Sequence, residues 1–153
     1  MSSERAKLVR DVIDGIGHTT ERAMRMNHVA AAAIGVNPTD MQCLQVLAHG
    51  PQTAGELARQ TGLTTASMTG MIDRLEQAGF VARRRDPDDR RRVIVELQKD
   101  RARKDIAPVF LPLLSSWREL LADYDEDTLR LLVDFLRRVE GAIDTEIQDR
   151  TPS

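Results

Sequence analysis

Two short helical patterns separated by a glycine, and followed directly by two short strands, constrain this fold more than any other feature. The first pattern begins at Thr53, and Glu56 three residues later gives the spacing of a capping box. Gly62 ends this helix as a residue suited to a left-handed conformation. The second helix has Thr64 as its candidate N-cap and Gly79 as its end. Two helices joined by such a turn have the layout of a helix-turn-helix, whose second helix can enter the major groove of DNA.

An arginine-rich strand–turn–strand pattern follows the second helix. Residues 80–85 predict one strand, and residues 92–97, rich in β-branched side chains, predict the returning strand. Pro87, flanked by aspartates, provides the turn between them. A hairpin directly behind a helix-turn-helix makes the segment a winged helix, with the hairpin as its wing.

The predicted elements outside this segment are all helices. They begin at about residue 4, at Pro38, at about Lys99 and after the acidic residues 125–127. The helix from Lys99 is expected to be interrupted or kinked around Pro108 and Pro112. The predicted fold is therefore mainly α, with six helices and a small β-hairpin wing, in a single domain of residues 1–153.

The distribution of charge along the chain separates the predicted regions. A winged-helix core is expected at about 36–98, and helical regions at about 4–35 and 99–147. The formal net charge of −2 taken alone argues weakly against nucleic acid as a partner. Residues 51–104 nevertheless hold 12 cations and 8 anions, whereas residues 105–153 hold 5 cations and 11 anions. The average thus conceals a basic winged helix followed by an acidic helical tail.

Composition and motifs exclude several classes of protein. The single cysteine, Cys43, excludes an internal disulfide framework and a multi-cysteine zinc site. The three histidines are spread too widely to form a local metal motif. No apolar run approaches the ~18–20 residues that a membrane span requires. The chain also lacks a glycine-rich phosphate loop, a nucleophile elbow and a paired-carboxylate constellation. A soluble cytoplasmic protein without catalytic activity, cofactor or metal is therefore predicted.

The second helix of the helix-turn-helix carries hydroxyl groups near its N-terminal end. Apolar side chains are expected to pack the two helices together: Leu57, Ala58, Leu63, Met68, Ile72 and Leu75. The outer surface is left to Thr65, Ser67, Thr69 and Gly70. Hydroxyls there can bond base edges or phosphates, and they would be a poor choice for a plain helix surface. Thr64 is either a helix cap or a further DNA contact.

Six arginines lie in the predicted wing and its turn. A charge run is usually a solvated face, and strand alternation places Arg83 and Arg84 on opposite faces, so solvent exposure and DNA contact remain alternatives for both. Arg90 and Arg91 instead lie at the projecting turn, from which a guanidinium can enter the narrow minor groove or hold a phosphate. Asp89 is expected to be the orienting partner of one of these arginines. The wing therefore predicts a second contact with DNA.

The sequence resembles the MarR family, the multiple-antibiotic-resistance regulators. The matching stretches are residues 55–63, 71–81, 86–91 and 93–97, and residues 86–91, Asp-Pro-Asp-Asp-Arg-Arg, look like the most specific signature of the family. The order of the flanking helices also fits, so the resemblance covers nearly the whole chain. It implies a ligand-responsive repressor that acts as a homodimer on a pseudo-palindromic operator in double-stranded DNA.

The resemblance also implies roles for particular regions. The helical regions at about 4–35 and 99–147 would form the dimer, and two copies of the second helix of the helix-turn-helix would read the operator. Arg90 and Arg91 would enter the flanking minor grooves. Arg74 would carry over as a phosphate or base contact.

Members of this family commonly respond to small phenolic or lipophilic effectors, or to oxidants. A candidate effector pocket would be lined by Met24, Met26, His28, Met41 and Trp117. Methionines at helical spacing are more often plain core, which is the alternative for these side chains.

Two further hypotheses compete with DNA-binding repression. One is a winged-helix module for protein–protein interaction, which Gly70 favours because the family often has a longer polar side chain there. The other is a thiol-based redox sensor acting through Cys43. Because no Lys, Arg or His is adjacent to Cys43 in sequence, a buried, small apolar role is the expected one.

Overall fold

The computed structural model describes residues 3–150, and its contacts divide the chain after Phe110 into two units. The first unit contains α1 (Ser3–Ile34), α2 (Pro38–Ala48), β1 (Gln52–Thr53), α3 (Ala54–Thr61), α4 (Thr65–Gln77), β2 (Val81–Arg85) and β3 (Val93–Leu97). Helical segments Lys99–Arg101, Ala102–Ile106 and Ala107–Leu121 then follow one another directly and are together called α5; α6 is Glu126–Arg150. Six helices and a small sheet in the described residues confirm the predicted fold class. The predicted bounds of the winged-helix core and of the helical regions stay predictions, and the ends of the predicted domain, residues 1–2 and 151–153, lie outside the described residues.

Local side-chain chemistry sets the ends of α3 and α4. Thr53 Oγ1 accepts the Glu56 N–H at 3.2 Å, and Glu56 Oε2 accepts the Thr53 N–H at 2.7 Å, which completes the predicted capping box. Gly62 ends α3 with φ +69°, a left-handed conformation that glycine adopts without steric cost. Thr64 caps α4 by accepting the Ser67 N–H at 3.2 Å.

One continuous apolar core lies beneath α4 and the sheet. Its buried members are Cys43, Leu44, Leu47, Leu57, Ala58, Met68, Met71, Ile72, Leu75, Phe80, Val81 and Val95. Four of them come from α4 at the i, i+3, i+4, i+7 spacing of one helix face. Burial of that face leaves the opposite face of α4 toward solvent.

The sheet has a third strand that the sequence did not predict. β2 pairs antiparallel with β3, with Arg85 opposite Val93, and β1 pairs with the other edge of β3, with Thr53 opposite Ile94. A strand of two residues offers no alternation for a sequence pattern to detect. Because Thr53 is both in β1 and the N-cap of α3, the root of the wing is joined to the start of that helix.

The irregularity in α5 lies earlier than predicted. The helix passes through Pro112 without interruption, and the irregular part is a π-helical turn at Ala102–Ile106. In a regular α-helix a proline ring collides with the carbonyl group four residues earlier, which for Pro108 is that of Lys104. The wider π turn contains that carbonyl group, so the chain accommodates the proline there without ending the helix.

Both ends of the chain carry exposed apolar side chains. In α1 these are Leu8, Val9, Val12, Ile13, Met24 and Val29. In α5 and α6 of the second unit they are Leu111, Leu114, Trp117, Leu120, Leu121, Leu131, Val133, Phe135, Leu136, Ile143 and Ile147. Soluble monomers rarely expose large contiguous apolar patches, so this number of exposed apolar side chains favours an interaction site on these helices. None of the helices described here is long and apolar enough to cross a membrane.

Candidate nucleic-acid interface

The exposed face of α4 carries the predicted hydroxyl groups, and some of them are already engaged. Thr64 Oγ1 donates to Ser67 Oγ at 2.9 Å besides capping the helix, which supports the cap alternative for Thr64. Thr69 Oγ1 donates to the Thr65 carbonyl oxygen at 3.0 Å. Within residues 3–150 the Thr65 hydroxyl has no hydrogen-bond partner, and Ser67 Oγ, which accepts from Thr64, retains its own proton. Thr65 and Ser67 are therefore the hydroxyl groups best placed to donate to DNA.

Small residues lie at the centre of the exposed face of α4. At 100° per residue, Ala66 and Gly70 lie opposite the buried stripe, and the threonines lie to one side of that line. A Cβ atom added to Gly70 would have Arg74 Nη1, at 3.9 Å, as its nearest neighbour. The backbone of α4 can therefore approach a DNA surface closely at this point, beside the Arg74 guanidinium.

Arg74, a predicted phosphate or base contact, is held by a carboxylate that sequence reasoning missed. Its Nη2 donates to Asp40 Oδ1 at 2.8 Å. Asp40 is 5% exposed, whereas the Arg74 side chain is 56% exposed, so one edge of the guanidinium is anchored and the rest faces solvent. Asp40 lies in the first turn of α2, where an acidic residue is favoured by the helix dipole alone. Nothing in the sequence connects it to a residue 34 positions later.

Three of the six wing arginines are neutralised by carboxylates. The ion pairs join Arg83 to Asp73 and Glu76, Arg84 to Glu96, and Arg92 to Glu56. Arg83 and Arg84 were left open between solvent exposure and DNA contact, and both instead hold the stem of the wing together. Strand alternation could not separate these cases, since the carboxylates lie on α4 and on the opposite strand.

The other three arginines are not paired with carboxylates in the described part of the chain. Arg85 Nη1 donates to the Arg90 carbonyl oxygen at 2.9 Å, and the Arg90 and Arg91 side chains have no hydrogen-bond or ion-pair partner. A shallow cavity of about 590 Å³ beside them is lined by Arg85, Asp86, Pro87 and Arg90. Arg85 was not predicted as a site residue. Its neighbours Arg83 and Arg84 form ion pairs with carboxylates, and only the register of the strands distinguishes Arg85 from them. In the described residues, Arg85, Arg90 and Arg91 are consequently the wing arginines that no carboxylate neutralises.

Asp89 supports the wing in a different way from that predicted. Its Oδ1 accepts the backbone N–H of Arg91 at 3.0 Å, and its carbonyl oxygen accepts the Arg92 N–H at 2.9 Å. In the described residues its carboxylate pairs with no guanidinium, so its bond to Arg91 is made through the backbone and not through the side chain. Asp89 orders the backbone of the turn, and the arginine side chains remain free.

Cys43 is buried in the core, as predicted for a small apolar residue. Burial, with a smaller contribution from the charge of Asp40, raises the pKa of its thiol to about 11. The thiolate that reacts with oxidants is therefore scarce at neutral pH, which disfavours the redox-sensor hypothesis.

The residues of the predicted effector pocket lie in contrasting environments. Met41 is fully buried with Ala30 and Ala31, whereas Met24 is 60% exposed. Met26 is half-buried, and the exposed ring of His28 bonds the Met24 carbonyl oxygen. Trp117 lies in the second unit and is exposed. The pocket therefore stays a prediction. Across residues 3–150, no group of His, Cys, Asp or Glu residues could hold a metal ion.

One buried polar atom of α1, Asn27 Oδ1, lacks a partner in the described residues. Asn27 Nδ2 donates to the Pro38 carbonyl oxygen at 2.9 Å, but Asn27 Oδ1 is buried without a hydrogen bond in the described structure. Buried acceptors of this kind are usually satisfied by a protein group or an ordered water, so Asn27 Oδ1 is an exception among the described residues.

The family model described as "MarR family" matches residues 36–93, which span α2 to the first residue of β3. Among curated relatives, the chain is 36% identical over 147 residues to the uncharacterized HTH-type transcriptional regulator YcgE of Bacillus subtilis, covering 95% of both chains. It is 32% identical over 97 residues to the HTH-type transcriptional repressor NicR of Pseudomonas putida, covering 60% of this chain and 61% of that protein. These matches confirm the resemblance that the sequence motifs indicated.

Solved structures agree with the fold. A MarR family protein from Bacillus stearothermophilus superposes with a TM-score of 0.64 at 21% identity, covering 94% of this chain and 99% of that chain. The transcriptional regulator BldR from Sulfolobus solfataricus gives a TM-score of 0.56 at 25% identity, covering 90% and 99%. Fold and sequence comparisons thus point to the same class of protein.

Proposed function

Because the chain belongs to the MarR family of DNA-binding transcriptional regulators, and not to an enzyme family, we propose that it represses transcription as a homodimer bound to a pseudo-palindromic operator. One observation carries the DNA contact. Arg90 and Arg91 project from the wing without a partner in the described residues, while the arginines at positions 83, 84 and 92 are neutralised. Two unpaired guanidinium groups on a projecting turn suit the narrow, electronegative minor groove.

The exposed face of α4 is proposed to enter the adjacent major groove. An α-helix fits that groove, and the small residues Ala66 and Gly70 allow the backbone to approach the base edges. Thr65 and Ser67 would donate to bases or phosphates near the N-terminus of the helix. Arg74, anchored by one edge, would offer its remaining N–H groups to a backbone phosphate. Major-groove and minor-groove contacts would therefore come from one rigid module.

The homodimer is proposed to use the helical regions at both ends of the chain. The exposed apolar side chains of α1, and separately those of α5 and α6, support this because they need a covering surface. A twofold dimer would present two copies of α4 to half-sites about one helical turn, ~34 Å, apart. The operator would then be pseudo-palindromic, matching the symmetry of the protein.

The repressor assignment rests on relatives that are so named. NicR of Pseudomonas putida and YetL of Bacillus subtilis are transcriptional repressors, and the chain is 29% identical to YetL over 124 residues, covering 75% of this chain and 74% of YetL. The proposed place of action is the cytoplasm, since that compartment holds the DNA of these bacteria. An activator would instead recruit polymerase at the same operator.

A small phenolic or lipophilic effector is proposed to release the protein from DNA. The unpaired Asn27 Oδ1, on the same helix as the buried Ala30 and Ala31, supports a ligand that combines a hydroxyl donor with an apolar ring. Titration of the protein–DNA complex with phenol, and with toluene as the hydroxyl-free control, tests this. We expect phenol to release the wild-type protein from DNA but not the Asn27→Leu variant. Equal release by phenol and toluene would contradict the proposal.

The DNA contact is tested with a duplex that the wild-type protein selects from a random-sequence library. Fluorescence anisotropy at several salt concentrations should show selective binding that weakens steeply as salt rises. The double variant Arg90→Ala/Arg91→Ala should bind more weakly and lower the salt slope by about two, at about one for each phosphate that is no longer neutralised. Arg137→Ala/Arg138→Ala, which removes two adjacent arginines from α6, is the control and should keep the slope.

Two results would contradict the proposal. Weak, salt-insensitive binding to selected and random duplexes alike would favour the protein–protein module. A single protomer in sedimentation equilibrium at micromolar concentration would exclude the homodimer. Folding of each variant is checked by circular dichroism, so that loss of binding is not confused with loss of structure.

A further inference from the structure

The tip of the wing, residues 86–92, is joined to the helical part of the molecule by one side-chain ion pair. Arg92 Nη2 donates to Glu56 Oε1 at 2.8 Å, between residues 36 positions apart in sequence. Glu56 lies in the first turn of α3, and Arg92 directly precedes β3. Throughout residues 3–150, no other side-chain hydrogen bond or ion pair links the tip to a helix. This contact therefore bears on the direction in which the tip projects.

Glu56 is held in place by its role in the capping box. Its Oε2 accepts both the backbone N–H of Thr53, at 2.7 Å, and the Thr53 hydroxyl, at 2.9 Å, which leaves Oε1 for Arg92. The hydrogen bonds from Thr53, with a smaller contribution from the charge of Arg92, hold the pKa of Glu56 below its ordinary value. The carboxylate is therefore ionised and oriented at neutral pH.

The tip is ordered internally, so that it turns as a unit. The Asp86 N–H donates to the Arg92 carbonyl oxygen and the Arg92 N–H donates to the Asp89 carbonyl oxygen, both at 2.9 Å. Asp89 Oδ1 accepts the Arg91 N–H. Because β1 pairs with β3 only as far as Ile94, the last stretch before the turn consists of β2 and β3 alone and can still tilt. The Arg92–Glu56 pair is placed to oppose such a tilt.

We propose that Glu56 and Arg92 are positioning residues for DNA binding. Their ion pair sets the tip at the angle from which Arg90 and Arg91 reach the minor groove while α4 occupies the major groove. Neither residue needs to touch DNA. The inference rests on the proposed function, since it concerns how the two DNA-contacting elements are held relative to each other. Holding them in the bound arrangement beforehand removes an ordering cost from binding.

The variant Glu56→Gln tests the proposal by the direction in which the affinity for DNA changes. Glutamine keeps the capping-box acceptor but loses the anion that holds Arg92. Removal of a negative charge should by itself strengthen binding to DNA. The proposal predicts the opposite, namely that affinity for the selected duplex falls about threefold, or about 0.7 kcal/mol, as expected for the loss of a largely exposed ion pair. Glu96→Gln is the matched control, because it removes the same charge from the Arg84–Glu96 pair within the stem and should not weaken binding.

Arg92→Met and the double variant Glu56→Gln/Arg92→Met complete the test. If the two residues act through one contact, the single and double variants lose the same affinity, whereas independent effects would add. Arg92→Lys should recover part of the loss. In the free protein, hydrogen exchange of the Arg92 amide should accelerate in Glu56→Gln and not in Glu96→Gln. Arg92→Met leaves the capping box intact, so it carries the test if Glu56→Gln fails to fold.

Two results would overturn the positioning role. One is binding by Glu56→Gln that is as tight as that of the wild type or tighter. The other is a loss of DNA affinity, on adding Arg92→Met to Glu56→Gln, that is as large as the loss caused by Arg92→Met in the wild type. That result would make Arg92 a direct phosphate contact. If Arg90→Ala/Arg91→Ala binds like the wild type, the proposed function itself fails. If that variant loses affinity while Glu56→Gln does not, only the positioning role fails.

Discussion

The ion pair between Arg74 and Asp40 offers the sharpest test of how α4 is held in the molecule. Arg74→Met should destabilise the fold, because it removes the charged partner of a carboxylate that is 5% exposed and keeps most of the apolar stem of the side chain. The free energy of unfolding should fall even though Arg74 itself is half-exposed.

The magnitude follows from the unequal burial of the two groups. Exposed ion pairs contribute about 0.2–1 kcal/mol, whereas loss of one partner from a fully buried pair costs about 3–5 kcal/mol. Here one short hydrogen bond of 2.8 Å joins a buried acceptor to a donor that water still reaches. A coupling of about 1–1.5 kcal/mol is expected, between those limits and close to the lower one.

The assay is a double-mutant cycle with Asp40→Asn, Arg74→Met and the double variant, measured by urea unfolding. All four proteins are compared at one protein concentration, since stability of a dimer depends on concentration. Arg74→Met should cost more than Asp40→Asn, because it leaves a buried charge unpaired, whereas the amide of asparagine is neutral. A coupling energy below about 0.3 kcal/mol, the usual error of additivity, would refute the reasoning.

Three further predictions concern local structure. Cys43 should resist peroxide and thiol reagents in the native protein at pH 7 and react on unfolding. Because the pKa of the native thiol is raised to about 11, the unfolded thiol ionises first, and the free energy of unfolding should fall as pH rises from about 9. Gly62→Ala should cost about 1–2 kcal/mol in the free energy of unfolding because φ is +69°, whereas Gly55→Ala, inside α3 with open space around it, should not destabilise. Thr53→Ala should lower the free energy of unfolding by about 1 kcal/mol through loss of the helix cap, and no change in urea midpoint would contradict that role.

Local signals along the chain were sufficient for most of the fold. The capping box at Thr53, the left-handed Gly62 and the Thr64 cap each depend on residues within a few positions, so their spacing predicts the helix ends. The strands around Pro87 were predicted for the same reason. The two-residue strand β1 was not predicted, because it exists only through pairing with β3. The irregularity predicted around Pro108 and Pro112 takes the form of a π turn just before Pro108.

The candidate site likewise has features that the sequence predicts and features that only the tertiary structure shows. The sequence places six arginines in the wing, and its motifs indicate the family and the projecting turn at Arg90 and Arg91. The sequence could not show which arginines form ion pairs within the protein, since the partners of Arg83 and Arg92 lie on other elements. Nor could it show that Asp89 bonds backbone rather than a guanidinium.

By itself, the sequence determined the order of the elements, the helix caps and the basic character of residues 51–104. These properties arise from neighbouring residues, whose interactions do not depend on how distant segments pack. The tertiary structure decided which charges remain free, because an ion pair requires two distant side chains within about 3–4 Å of each other. The Arg74–Asp40 and Arg92–Glu56 ion pairs form only because α2, α3, α4 and the wing pack around one apolar core.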